Sequence, residues 1–140
     1  SNATLLQKRL KEGRIRDCHG DLHAAHVCFT DGICIFDCIE FNRRFRYSDV
    51  AADIAFLAMD LDYHGREDLS ERLMYAYVEE SGDHQIMDVL DFYKCYRAYV
   101  RGKVESFRLD DSHIPEGEKK GALGRAEKYF GLAQHYAKRF

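Results

Sequence analysis

Three histidines and an aspartate fall within eight residues, in the segment His19-Gly20-Asp21-Leu22-His23-Ala24-Ala25-His26, and a further aspartate, Asp37, follows at the end of the next apolar run. No lysine stands between positions 19 and 37 to neutralise them. Side chains of these types suit two jobs. Carboxylate oxygens hold a hard divalent cation, and a carboxylate or imidazole accepts the proton of a hydroxyl that becomes a nucleophile. Asp37 sits in the run Ile33-Cys34-Ile35-Phe36-Asp37-Cys38-Ile39, where a carboxylate ending a buried strand is costly unless something pairs with it. Such a gathering of titratable groups marks a candidate site.

The elements that must position these groups are legible around them. Val27 to Thr30, the pair Asp31-Gly32 and Ile33 to Phe36 carry the signature of a tight β-hairpin. The spacing predicts a strand from Ile33 to Ile39, with Cys34, Phe36 and Cys38 on one face as small core residues. From Ser48 the apolar period becomes helical. Val50, Ile54, Leu57, Ala58 and Leu61 form a stripe, Ser48 is placed to cap its start and Gly65 to end it. A second helix is expected from Arg66 to Ser81, stopped by Gly82. A third is expected from His84 to Leu109, with Ile86, Leu90, Tyr93, Val100, Val104 and Phe107 in one row. Arg97 and Arg101 interrupt that face and either reach back to the acidic site or pair with Glu105. Pro115 suits the first turn of a last helix carrying Leu123, Ala126, Phe130, Ala133 and Ala137. Thr4 to Glu12 reads as the tail of another helix. The expected fold class is therefore α+β and predominantly α-helical: a helix end, a small β-hairpin and about four following helices.

Composition bounds what the site can serve. A length of 140 residues suits one domain, and a net charge of −3 offers no broad cationic field for a phosphate backbone, which excludes nucleic acid as the main partner. The longest apolar stretch, Val50 to Met59, is interrupted by Asp53 and falls well short of the roughly 18 residues of a membrane span. No membrane partner is expected. Five cysteines, Cys18, Cys28, Cys34, Cys38 and Cys95, make an odd count without a CxxC pair. They fit reduced thiols in the cytoplasm better than disulfides or paired zinc knuckles. Ser1-Asn2-Ala3 looks like the remnant of tag removal, lying outside the fold and leaving residues 4–140 as a single domain.

The string His19-Gly20-Asp21-Leu22-His23, followed by the hairpin and Ile35-Phe36-Asp37, resembles the catalytic loop and metal-binding aspartate of the aminoglycoside phosphotransferase and choline kinase group, whose fold is that of protein kinases. The stretch from Cys18 to Tyr63, with Ile39-Glu40-Phe41-Asn42 and Asp49-Val50-Ala51-Ala52-Asp53, is similar to bacterial members often joined to a P-loop ATPase or gluconate-kinase-like domain. The resemblance implies a kinase-like C-terminal lobe. It makes Asp21 the catalytic aspartate that orients or deprotonates an acceptor hydroxyl, and His19 a brace of the same loop. Asp37 would be the ligand of the Mg2+ that bridges ATP phosphates. Asp53 would accept hydrogen bonds from the loop's backbone as a structural support. His26 stands where the family places a metal-holding asparagine, five residues after Asp21, and an imidazole prefers softer ions than magnesium. His23, and Arg44 and Arg46 of the run Arg43-Arg44-Phe45-Arg46, are candidates to contact substrate or phosphate.

The expected activity is ATP-dependent phosphorylation of a small-molecule hydroxyl. No GxGxxG or GxxxxGK[ST] loop occurs in the sequence. The chain therefore reads as a C-terminal lobe whose N-terminal, ATP-holding lobe is absent, and it is expected to bind ATP poorly and turn over slowly by itself. Two other readings compete. One is a metal-dependent hydrolase with His19, Asp21, His23, His26 and Asp37 around an activated water. The other is a non-catalytic kinase-like scaffold in which His26 records a lost metal site.

Overall fold

Alanine decides where the core lies. The computed structural model describes residues 2–140, and its central element is α3 (Val50–Tyr63). Ala51, Ala55 and Ala58 of α3 are fully buried against Met74 of α4 (Glu67–Ser81) and Ile86, Val89 and Leu90 of α5 (Ile86–Phe107). Leu5 and Leu6 of α1 (Asn2–Lys11) pack on the edge of that cluster. On the other side of α3, Phe56, Met59 and Tyr63 meet Ala98 of α5 and Tyr129, Ala133 and Tyr136 of α6 (Glu116–Ala137). The fold is α+β and mostly helical, that of a kinase-like C-terminal lobe.

The four later helices fall where caps and breakers place them, whereas their buried faces differ from the apolar stripes. Val50, Ile54, Leu57 and Leu61 are only partly buried, because α3 is covered on two sides and its alanines take the closest contacts. In α5 the row rotates out of the core. Val104 and Phe107 are exposed, and Ala98 and Gly102 face α6 instead. A Cβ on Gly102 would come within 2.7 Å of the Phe130 ring, so glycine here sets the separation of α5 and α6. In α6 the buried aromatic residues are Tyr129 and Tyr136 rather than Phe130, and Leu123 is exposed. Asp49, not Ser48, caps α3, accepting the Ala51 N–H at 2.9 Å. Asn2 and Ala3 form the first residues of α1, and Ser1 lies outside the described residues.

Buried charge ties the elements together. Arg9 is fully buried and doubly bonded to two carboxylates, Asp49 at 2.6 and 2.8 Å and Asp83 at 2.9 and 2.9 Å. Burial alone would weaken its proton affinity, but the paired bonds to Asp49 and Asp83 raise it above its ordinary value. The cluster joins α1, the start of α3 and the turn before α5. A second one joins α3, α4, α5 and α6, with Lys94 Nζ donating to Asp62 at 2.8 Å and Ser70 at 3.1 Å, and the Tyr136 hydroxyl donating to the same Asp62.

The β structure is small and lies on the surface. β1 (Ile15–Asp17) pairs antiparallel with β4 (Tyr47–Asp49), Ile15 opposite Asp49, while β2 (Val27–Phe29) and β3 (Ile33–Ile35) form the expected hairpin with Cys28 opposite Cys34. A single turn, α2 (Arg43–Arg46), precedes β4. The hairpin corrects one expectation. β3 stops at Ile35, and Cys34, Phe36 and Cys38 are exposed rather than packed in the core. Phe29, Ile33 and Ile35 are 80%, 70% and 53% exposed, so the run is apolar because it presents a face outward. Among the described residues, no helix is long and apolar enough to cross a membrane.

Candidate active site

The loop from His19 to His26 is held from below by helices. Asp53, in the first turn of α3, accepts the backbone N–H of His19 at 2.6 Å and of Gly20 at 2.9 Å. Arg97 of α5 donates to the Gly20 carbonyl at 3.1 Å and to the Ala52 carbonyl at 3.1 Å, with Nη2 3.9 Å from Asp53. Its guanidinium lies over the Phe56 ring, and burial draws its proton affinity down while Asp53 opposes that. Arg97 therefore reaches back to the loop; Glu105 is paired instead with Arg125 at 3.1 Å. Arg101, one turn after Arg97, rests over Tyr129. Asp60 accepts the Ala24 N–H at 2.9 Å. Asp53 and Asp60 are seven residues apart, so one face of α3 supports both ends of the loop.

Backbone geometry within the loop is specific. Gly20 has a φ of +85°, and a Cβ there would meet the Ile39 side chain at 3.0 Å; both conditions call for glycine. The His19 carbonyl accepts the Ile39 N–H at 2.9 Å. Its ring Nε2 lies 2.6 Å from the Phe36 carbonyl and must donate there, which leaves Nδ1 to accept the Asp21 N–H at 3.3 Å. His19 thus braces the loop against the segment after the hairpin.

The cluster itself gathers four of the candidate residues. His23 Nε2 is 3.5 Å and His26 Nδ1 3.7 Å from Asp21 Oδ2, and His26 Nε2 is 3.3 Å from Asp37 Oδ2. The His23 and His26 rings lie 4.0 Å apart. Burial holds the His23 imidazole below its ordinary range despite Asp21 alongside. Asp37 is not the end of a buried strand. Its side chain is 74% exposed and its backbone has a φ of 60°, a conformation uncommon outside glycine and one of those that recur at functional sites. Asp21, Asp37, Cys38, Ile39, Glu40 and Phe41 line one open depression of about 630 Å³. Arg44 and Arg46 do not join it. Arg46 is clasped to Asp17 of β1, and Arg44 offers only its backbone N–H to the Asn42 side chain.

Residues 1–93 match the phosphotransferase enzyme family. The chain belongs to that family. Its relatives include uncharacterised proteins of Mycobacterium tuberculosis and Mycobacterium bovis, 46% identical over 106 residues, which cover 75% of this chain and 21% of theirs. The chain thus spans about a fifth of the length of the curated relatives it matches. No solved structure matches significantly. Neither the Asp60 support nor the choice of partner for Arg97 is evident from residue type alone, and the seven-residue step from Asp53 to Asp60 is the signal that marks the first.

Proposed function

We propose that this chain carries the catalytic loop of an ATP-dependent phosphotransferase acting on a small-molecule hydroxyl. The observation that carries the reading is that His26 lies between Asp21 and Asp37, 3.7 Å from one carboxylate and 3.3 Å from the other, beside an open depression that both line. Asp21 is the catalytic base. Its carboxylate orients the acceptor hydroxyl and accepts its proton as that oxygen bonds to the γ-phosphorus and the bond to the ADP oxygen breaks. His19 and Asp53 are positioning residues that fix the Asp21 backbone through the loop.

The donor set fits a divalent cation: the Asp37 carboxylate is largely exposed, lies beside His26, and offers oxygens to solvent. Asp37 and His26 would hold Mg2+, which when bound neutralises charge on the nucleotide phosphates. His23 lines the loop beside Asp21; Arg44 is the arginine available for an anionic substrate group, having no guanidinium partner among the described residues, and Arg46 is engaged with Asp17. The exposed apolar residues Phe29, Ile33, Ile35 and Phe36 on the hairpin, together with the short span of the relatives covered, support an N-terminal, nucleotide-holding lobe as the hairpin's partner. A fused P-loop ATPase domain and a cytoplasmic setting follow from the resemblance. The hydrolase reading is disfavoured because the His19 ring is committed to Phe36 and Asp21 backbone groups, and the scaffold reading because, among the described residues, the ion-pair neighbour of the Asp37 carboxylate is His26 rather than a Lys or Arg.

The test is 31P NMR of the full-length protein with ATP and a panel of small alcohols. Growth of a phosphate monoester resonance in step with ADP supports the reading. ATP left intact with every acceptor, or free phosphate as sole product, overturns it.

A further inference from the structure

His26 is the residue whose chemistry departs most from a magnesium site. Its Nδ1 lies 2.9 Å from the Asp21 carbonyl oxygen, which can only accept, so Nδ1 carries the proton. In the neutral ring Nε2 is then a lone-pair acceptor, and it faces Asp37 Oδ2 at 3.3 Å. Two acceptors at that distance repel unless a proton or a cation stands between them. The separation also equals the span of two ligands about 2.1 Å from one ion at an angle near 100°, the bond length of imidazole nitrogen and carboxylate oxygen to a transition-metal dication. The Nδ1 bond to a carbonyl is the arrangement that fixes a ligating histidine's tautomer and raises its basicity.

The surroundings add further donors. Ligand atoms of Asp21, His23 and His26 lie within 4.8 Å of one another, and Glu40 lines the same depression. A metal taken through His26 Nδ1 would have to break the Asp21 carbonyl bond, whereas one taken through Nε2 leaves it intact. Carboxylate alone suits Mg2+, but an imidazole nitrogen shifts preference to first-row transition metals.

Resting on the reading of Asp37 as the metal-holding carboxylate, we propose that His26 Nε2 and Asp37 form a mixed nitrogen and oxygen site that binds a first-row transition-metal dication in preference to Mg2+, without nucleotide. The ion completes its shell with water, and His23 and Asp21 stand at its edge.

The experiment is Mn2+ titration of the 140-residue chain, free of any polyhistidine tag, followed by electron paramagnetic resonance with Mg2+ as competitor. The expected result is at least a tenfold preference for Mn2+, with coupling to a 14N nucleus in the pulsed spectrum. His26→Asn removes the 14N coupling and brings the preference close to unity, while Asp37→Asn weakens both ions. His26→Gln, of similar reach and polarity, repeats the loss of coupling should the asparagine variant fold poorly. Absence of Mn2+ binding, equal affinity for both ions, or a 14N coupling that persists in both His26 variants overturns the proposal. No ATP or acceptor is present, so failure of phosphoryl transfer leaves this result intact, and a magnesium-selective kinase would sink it while sparing the proposed function.

Discussion

The helical half of the molecule and the loop half treat charge in opposite ways. In the helices three buried charges are matched by opposite ones: Arg9 by Asp49 and Asp83, Lys94 by Asp62, Glu105 by Arg125. Around the loop, Asp21, Asp37 and Glu40 line one open depression whose ionisable neighbours within ion-pair distance are histidines. Apolar residues divide the same way, buried along α3 and exposed on the hairpin. Paired charge ties one half together, and the other keeps the Asp37 carboxylate open to solvent. Asp53 and Arg97 form the seam, one end in the helical core and the other on the loop backbone.

Breaking the helical half should have the largest effect. Replacing Arg9 by Met leaves Asp49 and Asp83 buried without their cation, and a broken buried pair costs about 3–5 kcal/mol. Denaturant unfolding of the variant should show that loss, and a change below about 1 kcal/mol would mean the cluster is not a keystone. At the seam, Asp53→Ala removes the acceptor of two backbone N–H groups and should cost about 1–3 kcal/mol. Hydrogen exchange should then quicken at His19 and Gly20 while the amides of α5 stay protected; uniform quickening would place Asp53 in the global core instead.

Within the loop half, the comparison predicts a substitution that helps folding. Asp37→Gly relieves a positive φ and should raise stability by about 0.5–1 kcal/mol while abolishing divalent-ion binding. A destabilised variant in thermal unfolding would show that the Asp37 side chain contributes structurally. The smallest effect concerns acid. Because burial holds His23 below its usual 6.5, the unfolded chain binds its proton more readily, so stability is unaffected above that value and declines as pH falls through it. His23→Gln should flatten that part of the stability profile, and an unchanged profile would assign the acid sensitivity to another group.

Much of this division could be read from the residues. The hairpin was legible because Asp31-Gly32 stands between β-branched and aromatic runs, and the helix ends because Gly65, Gly82 and Pro115 punctuate the chain. The buried faces were harder to see. Alanines at 51, 55 and 58 rank low as hydrophobics yet pack closest, and a stripe drawn through Val50, Ile54 and Leu57 follows size rather than contact. The run Ile33 to Ile39 looked buried because its composition is that of a core strand; sequence alone does not distinguish a face turned inward from one held out. Arg9 gave no signal, since its partners lie 40 and 74 positions away. The chemical cluster was read more easily, because Asp21, His23 and His26 are close in sequence and Asp37 lies just across the hairpin.

The central claim is that Asp21 serves chemistry and not folding. Asp21→Asn in the full-length protein tests it when turnover and unfolding are measured on one preparation. The account predicts a fall in kcat of at least about a thousandfold, as for loss of a catalytic acid or base, with an unfolding free energy within about 0.5 kcal/mol of the parent. Turnover that survives the substitution, or activity lost only in proportion to stability, would contradict it.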